Sequence, residues 1–201
     1  MNEKSFLGID TIENGFHRDW GVDMSDWETP RLQRKTWFNE KGQVHCKDGP
    51  ARQYFDHSFE TKPLIMEEWY IEGRRHRLDG PATTFYHGEQ IGFEEWWVNG
   101  ALHRDGAPAI LEYDSDKNVD QEWWYQNGLL HREYGPAETS YDGETGFPLV
   151  EQWYFEGSLH RVNNPAVIER DDRNGAVTRV EYWTHGRKID APQSQFGPSV
   201  P

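Results

Sequence analysis

The chain has 201 residues and a net charge of -14, with 35 acidic against 21 basic side chains; hydrophobic residues make up only 35%, yet there are ten Trp, nine Tyr and ten Phe. A surface this acidic repels nucleic-acid backbones and anionic lipid and attracts basic partners, so direct nucleic-acid binding is not expected. No apolar run reaches 18 residues, no charged-then-apolar leader stands at Met1-Asn2-Glu3-Lys4-Ser5, and Cys46 has no second cysteine to pair with; the expectations are therefore no membrane span, no secretion signal and a cytoplasmic location.

In chain order, the first element is a degenerate hairpin, with Asn14-Gly15 as its turn and Ile12 opposite His17, which opens the phrase His17-Arg18-Asp19. Residues 1–34 are read as an N-terminal cap, and the stretch from Gly21 to Arg34, with Trp20 and Trp27 nearby, is expected to wrap back over an aromatic face. The phrase then recurs as His45-Cys46-Lys47-Asp48-Gly49-Pro50-Ala51, His76-Arg77-Leu78-Asp79-Gly80-Pro81-Ala82, His103-Arg104-Asp105-Gly106-Ala107-Pro108-Ala109, His131-Arg132-Glu133-Tyr134-Gly135-Pro136-Ala137 and His160-Arg161-Val162-Asn163-Asn164-Pro165-Ala166. The six histidines are spaced by 28, 31, 27, 28 and 29 residues. A near-fixed period of this length marks stacked supersecondary units.

Each phrase follows an aromatic strand and a turn: Trp69-Tyr70-Ile71-Glu72-Gly73, Trp96-Trp97-Val98-Asn99-Gly100, Trp124-Tyr125-Gln126-Asn127-Gly128 and Trp153-Tyr154-Phe155-Glu156-Gly157. Such a run closed by Asn-Gly or a similar pair predicts a two-residue hairpin loop, because Gly accepts positive φ. The register then sets Trp69 opposite His76 and Glu68 opposite Arg77, with Trp96 and His103, Glu95 and Arg104, Trp153 and His160, Gln152 and Arg161 as the same pairs. In the fourth unit Trp123 stands opposite Arg132, so a cation-π contact is expected in place of the ion pair. The first full repeat, Trp37-Phe38-Asn39-Glu40-Lys41-Gly42, absorbs one extra residue in a three-residue loop ending in a left-handed Gly, which keeps Trp37 opposite His45. Strand alternation places Trp and His on one face and Glu and Arg on the other. Each such cross-strand pair is worth roughly 0.2–1 kcal/mol, multiplied by repetition.

After the Arg, Asp-Gly-Pro predicts a bend or bulge. Short strands such as Ala82-Thr83-Thr84-Phe85-Tyr86 and Ala109-Ile110-Leu111-Glu112-Tyr113 follow, then polar loops of varying length. Two turns per unit predict an all-β, elongated, twisted antiparallel meander of about six to seven repeated hairpins over residues 35–190. The last turn, His185-Gly186, sets Tyr182 opposite Ile189 and Glu181 opposite Asp190, and residues 191–201 read as a Pro-containing tail.

Six equivalent histidines argue for structure, since catalysis needs one asymmetric group of different residues. Neighbouring histidines, two strands apart, lie roughly 10 Å from one another, too far to share a zinc ion. Asp114-x-Asp116-x-Asn118-x-Asp120 has the oxygen spacing of a calcium loop, but Val119 stands where an EF-hand needs Gly and Tyr125 where it needs Glu, so a hairpin loop is the better reading. Cys46 occupies an Arg slot of the repeat; no nucleophile motif, metal site or cofactor site is expected. What remains is surface: Trp69, Trp96, Trp124 and Trp153 on one face, Tyr70, Trp97, Tyr125 and Tyr154 on the other, and the ladder Arg77, Arg104, Arg132 and Arg161. These twelve residues have the composition of interaction hot spots.

From about residue 12 to residue 190 the units resemble the MORN repeat, and more closely its divergent MORN-variant type from bacterial and phage proteins. The units here are longer than the usual repeat, and His-Arg-x-Asp-Gly-Pro-Ala replaces the family's common His-Gly return. The resemblance implies an elongated hairpin array acting as a scaffold, a membrane-associated module, an inhibitor or an antitoxin, in the host cytoplasm if phage-encoded. The function expected is non-enzymatic binding of a protein with a basic surface, through an aromatic sheet face and acidic loops, with homo-oligomerisation left open. The rival readings are sequestration of a nucleotide-like anion by the Arg ladder and acidic nucleic-acid mimicry.

Overall fold

The structure, a computed structural model, describes residues 32–56, 59–61 and 63–192. Of the expected N-terminal cap, residues 1–31, with the hairpin at Asn14-Gly15 and most of the wrap-back segment, lie outside the described residues, while residues 32–34 belong to the first strand of the sheet; all but the start of the expected tail also lies outside. Every element within them is a β-strand. The first described pair is β1 (Leu32–Thr36) and β2 (Arg52–Asp56). Four-strand units follow: β3 (Leu64–Glu68), β4 (Tyr70–Ile71), β5 (Arg74–Arg75) and β6 (Thr83–His87); β7 (Gln90–Glu95), β8 (Trp97–Val98), β9 (Ala101–Leu102) and β10 (Ile110–Tyr113); β11 (Val119–Trp123), β12 (Tyr125–Gln126), β13 (Leu129–Leu130) and β14 (Glu138–Tyr141); β15 (Pro148–Gln152), β16 (Tyr154–Phe155), β17 (Ser158–Leu159) and β18 (Val167–Arg170). The array ends with β19 (Val177–Thr184) and β20 (Arg187–Ile189).

The meander is there, in two tiers. Twelve strands form one antiparallel sheet in the order β1-β2-β3-β6-β7-β10-β11-β14-β15-β18-β19-β20, about 50 Å across at the usual strand spacing. The aromatic hairpins β4-β5, β8-β9, β12-β13 and β16-β17 stand apart from it as a second row. Each unit therefore supplies four strands, twice the number its sequence suggests. The division falls at the repeated tryptophan, which lies between two strands in every unit. Its N–H donates to the alanine that ends the unit's own phrase, Trp69 to Ala82 at 2.7 Å and Trp96 to Ala109 at 2.8 Å, while the alanine N–H donates onward to the next unit, Ala82 to the Glu95 carbonyl at 2.7 Å. Ala51, Ala82, Ala109, Ala137 and Ala166 are all fully buried. A larger side chain has no room where three strands meet.

The turns are as the sequence dictates. Both loop residues take positive φ in Glu72-Gly73, Asn99-Gly100, Asn127-Gly128, Glu156-Gly157 and His185-Gly186, the dihedrals of a type I′ turn. The pairs Tyr70 with Arg75, Tyr125 with Leu130 and Tyr182 with Ile189 follow from them, and the His76 N–H donates to the Trp69 carbonyl at 3.0 Å. The longer first loop also behaves as expected: Gly42 has φ of 76°, and the His45 N–H still reaches the Trp37 carbonyl at 3.0 Å.

The expected side-chain pairing across these hairpins is corrected in two respects. Glu68 does not pair with Arg77, nor does Arg132 stack on Trp123; each arginine lies instead over the tryptophan of its own unit. The reason is length. The hairpin ladder stops after two residues, at Arg75 in the first complete unit, and Arg77 lies beyond it with its N–H donating to the Trp97 carbonyl of the next unit at 3.0 Å, so strand alternation within the hairpin no longer governs where that side chain points. The histidine ring, for its part, serves the neighbouring unit: His45, His76, His103, His131 and His160 Nδ1 accept the N–H of Glu72, Asn99, Asn127, Glu156 and His185 at 3.0–3.2 Å. Each histidine fastens the first loop residue of the next hairpin. Backbone bonds do the same, as from Gly100 N–H to the Arg75 carbonyl at 2.8 Å.

The two tiers answer how a thin sheet buries a face. Phe93, Ile110 and Trp123 of the long sheet are buried, packed against the partly buried Phe85 of the same sheet and Leu102, Tyr125 and Leu130 of the hairpin row. This face is closed by the repeat's own hairpins.

Candidate functional site

The four arginines of the ladder come together with their tryptophans as four copies of one clamp. The guanidinium carbon lies 3.9 Å from the indole centroid for Arg77 on Trp69, 3.6 Å for Arg104 on Trp96, and 3.7 Å for both Arg132 on Trp124 and Arg161 on Trp153. Nη1 of each also donates to the proline carbonyl four residues on, at 3.1–3.2 Å. In two of the four units the guanidinium occupies the space that a side chain on the glycine before the proline would take, while Ala107 and Asn164 stand at that place in the other two. A Cβ on Gly80 would lie 2.8 Å from the Arg77 guanidinium carbon, and one on Gly135 would lie 2.9 Å from that of Arg132.

Beside the clamps runs a ladder of carboxylates capped by tyrosines from adjacent strands. Tyr86 donates to Glu67 at 3.2 Å and Tyr113 to Glu94 at 2.8 Å. Burial and the facing Glu122 push Tyr141 up to about 12, and burial with the facing carboxylate likewise raises Tyr86 and Tyr113.

The second-position aromatics lie on the opposite face, as expected from alternation. Tyr70 Oη donates to Glu68 at 3.4 Å, Trp97 Nε1 to Glu95 at 2.8 Å and Tyr154 Oη to Gln152 at 3.2 Å, while Tyr125 packs into the core. Glu68 is, among the described residues, the most enclosed charged side chain. Glu68, 1% exposed, takes a hydrogen bond from Tyr54 Oη at 3.0 Å and an ion pair from Arg75, with Arg52 at 3.6 Å. Burial and Glu68 together push Tyr54 up to about 12; burial works against the Arg75 charge, but Glu68, Tyr70 and Glu95 together outweigh it and raise that group. An acid just before the repeated tryptophan with an arginine just after the turn was the available signal. Its burial was not legible, because the sequence does not show the hairpin row folding over that face.

The bends after the arginines carry the most exposed apolar side chains. Leu78 is 78% exposed, Tyr134 82% and Val162 67%, with Asp79, Asp105 and Glu133 exposed in the same row. Between two bends lies an open groove of about 530 Å³, lined by Arg77, Leu78, Asp79, Trp96, Arg104 and Asp105 among others. The Asp114 loop closes on itself as a hairpin connection: Asp114 Oδ1 accepts the N–H groups of Asp116 and Asn118 at 2.8 and 2.9 Å. Among the described residues no group of three or more His, Cys, Asp or Glu could hold a metal ion, and no helix is long and apolar enough to cross a membrane. Cys46 is unpaired.

The fold and these repeated clamps define an all-β hairpin-repeat protein. No protein-family model and no curated protein matches the chain. Among solved structures it is similar to a mutant of S. aureus TarM crystallised in complex with Fondaparinux, alpha-GlcNAc-glycerol and UDP, at 13% identity and a TM-score of 0.26 over 74% of this chain, and to a crystal structure of TarM at 13% identity and 0.25 over 75%. The matched region amounts to 21% of the length of each of those chains.

Proposed function

We propose that this chain is a non-enzymatic protein-binding module, whose partner lays an apolar strip with basic flanks along the row of bends. The observation that carries this reading is the recurrence of an exposed apolar side chain in three bends of the array, Leu78, Tyr134 and Val162. Asp79 follows Leu78 and Glu133 precedes Tyr134, and Asp105 stands in the bend between them; the Asp79 and Asp105 side chains are 85% and 91% exposed. A row of this kind, backed by clamped Trp and Arg, combines the apolar anchors and the charge complementarity that protein recognition uses. The arginine clamps and the tyrosine-carboxylate pairs recur from unit to unit as structural contacts do, and the one buried carboxylate, Glu68, is closed off by Tyr54, Arg52 and Arg75. An assignment to MORN-variant repeats belongs to the same reading and is supported by one type I′ hairpin per unit; a cytoplasmic inhibitor or antitoxin role is its functional corollary.

Sequestration of an anion in the groove beside Arg77 and Arg104 is the weaker reading. Both guanidinium groups are already stacked and bonded to carbonyls, and Asp79 and Asp105 line the same groove.

The test is affinity capture from the native cell with cross-linking, comparing the unaltered chain with the triple variant Leu78→Ser, Tyr134→Ser, Val162→Ser. A specific protein captured by the first and lost from the second is expected. Equal capture by both, or a small anion released when the purified protein is denatured, overturns the reading.

A further inference from the structure

We propose that Asn174 is a site of covalent self-modification: its side chain closes on the Gly175 nitrogen to form a succinimide, which water opens to isoaspartate and aspartate. The histidine ladder shields the two Asn-Gly turns of the hairpin row from the same reaction.

Among the described residues there are three Asn-Gly pairs, Asn99-Gly100, Asn127-Gly128 and Asn174-Gly175. A glycine after the asparagine favours ring closure, because no Cβ on that residue hinders its nitrogen from reaching the asparagine Cγ. All three asparagines are exposed, so access to water does not rank them. Their hydrogen bonds do.

Asn99 and Asn127, at φ of 52° and 50°, are each pinned twice by the preceding unit. The Asn99 N–H donates to His76 Nδ1 at 3.0 Å and the Gly100 N–H to the Arg75 carbonyl at 2.8 Å. The Asn127 N–H donates to His103 Nδ1 at 3.2 Å and the Gly128 N–H to the Leu102 carbonyl at 2.8 Å. The attacking nitrogen must give up the proton that makes the second of these bonds and turn toward Cγ. Reaction at either turn therefore waits for the hairpin to come away from its neighbour.

Asn174 lies in the connection between β18 and β19, where the Gly175 N–H donates within the loop, to the Asp171 carbonyl at 2.9 Å. Freeing that proton separates no unit from another. The Ala176 N–H donates to Asn174 Oδ1 at 2.8 Å, an Asx turn whose small hydrogen-bonded ring contains both the Gly175 nitrogen and the Asn174 Cγ. Its donor also points at the oxygen on which negative charge grows during attack, as the donors of an oxyanion hole do.

The steps balance with water alone. Hydroxide takes the Gly175 N–H proton, the nitrogen bonds to Cγ, and the resulting oxyanion on Oδ1 collapses. The bond from Cγ to the side-chain nitrogen breaks, and ammonia leaves with a proton from water, which restores the hydroxide. Water then adds at Cγ to give aspartate, or at the main-chain carbon to give isoaspartate. Either product puts a carboxylate beside Asp171 and Asp172, and isoaspartate adds a methylene to the main chain just before β19 begins.

This chemistry needs no partner, so it stands or falls apart from the row of bends. The full chain is kept folded in mildly alkaline heavy-oxygen water and its peptides are mapped by mass. Label entering with loss of ammonia reports conversion, and methylation by a protein isoaspartate methyltransferase marks the isoaspartate product. Asn174 should convert about tenfold or more faster than Asn99 and Asn127. The three rates should converge in urea, and His76→Phe should speed conversion of Asn99. Circular dichroism shows whether that variant is folded; if it is not, the unaltered chain with and without urea decides. Equal rates at the three sites of the folded chain, a ranking that persists in urea, or a folded His76→Phe variant with Asn99 no faster overturns the proposal.

Discussion

The Arg104 guanidinium carbon lies 3.6 Å from the centroid of the Trp96 indole while Nη1 of the same arginine donates to the Pro108 carbonyl at 3.1 Å. One side chain thus ties the hairpin row to the bend that returns the chain to the long sheet. A partly desolvated cation-π contact is worth about 0.5–2 kcal/mol, and it occurs in four units.

A double-mutant cycle on Trp96 and Arg104 measures the clamp. Trp96→Leu and Arg104→Ala should each lower the stability, and the pair should cost about 1 kcal/mol less than their sum. Arg104→Lys should recover only part of the loss, since an ammonium cannot both stack flat and reach the proline carbonyl. Urea denaturation of the four proteins checks this; additive losses would show that the stacking carries no energy.

Two glycines separate a steric requirement from a backbone one. Gly80→Ala should cost about 1 kcal/mol by displacing the Arg77 guanidinium from Trp69, and should be nearly neutral in an Arg77→Ala background. Gly135 has φ of 129°, so Gly135→Ala should stay destabilising even beside Arg132→Ala, because an L side chain is strained there. Thermal melts of both double variants distinguish the two causes.

His76→Phe should leave the Asn99 N–H without its acceptor, now 3.0 Å away at Nδ1, and destabilise by roughly 1–2 kcal/mol. His76→Asn offers an oxygen in a similar place and should recover much of this. The specific readout is amide exchange at Asn99, which should quicken in the Phe variant and slow again in the Asn variant.

Acid should loosen the last unit through Glu181. Lys188, Arg179 and Trp183 all donate to this carboxylate and hold it down at about 2, from an ordinary value of 4.5. A carboxylate lowered by folding contributes stability that is complete above its unfolded value and is lost as pH falls through the folded one. Stability should therefore decline from about pH 4.5 towards pH 2, and Glu181→Gln should flatten that part of the profile. An unchanged acid limb in the variant would show that other carboxylates govern it.

Much of this was written in the chain. The turn pairs fixed the hairpin register down to Tyr182 opposite Ile189, because positive φ and a two-residue loop leave no other alignment. The 27- to 31-residue period announced a meander, and alternation correctly separated the Trp69 row from the Tyr70 row. Those are local rules, and a sequence obeys them within a few residues.

The tertiary structure decided what those rules do not reach. It broke each strand at the tryptophan, sent Arg77 to Trp69 and Arg132 to Trp124, turned every histidine toward the following hairpin, and enclosed Glu68 with Arg75 and Tyr54. Among the described residues it also pairs Val180 on the β18 side alone, whereas β7 inside the array pairs with both β6 and β10. The histidine bonds span 23 or more residues and depend on which unit lies alongside; the arginine clamps and the Glu68 pairs lie much nearer in sequence but depend on the break of the strand at the tryptophan, which folds the hairpin row over the sheet. Period and turn chemistry specify the hairpins; only the packing of one row on the other assigns the side chains their partners.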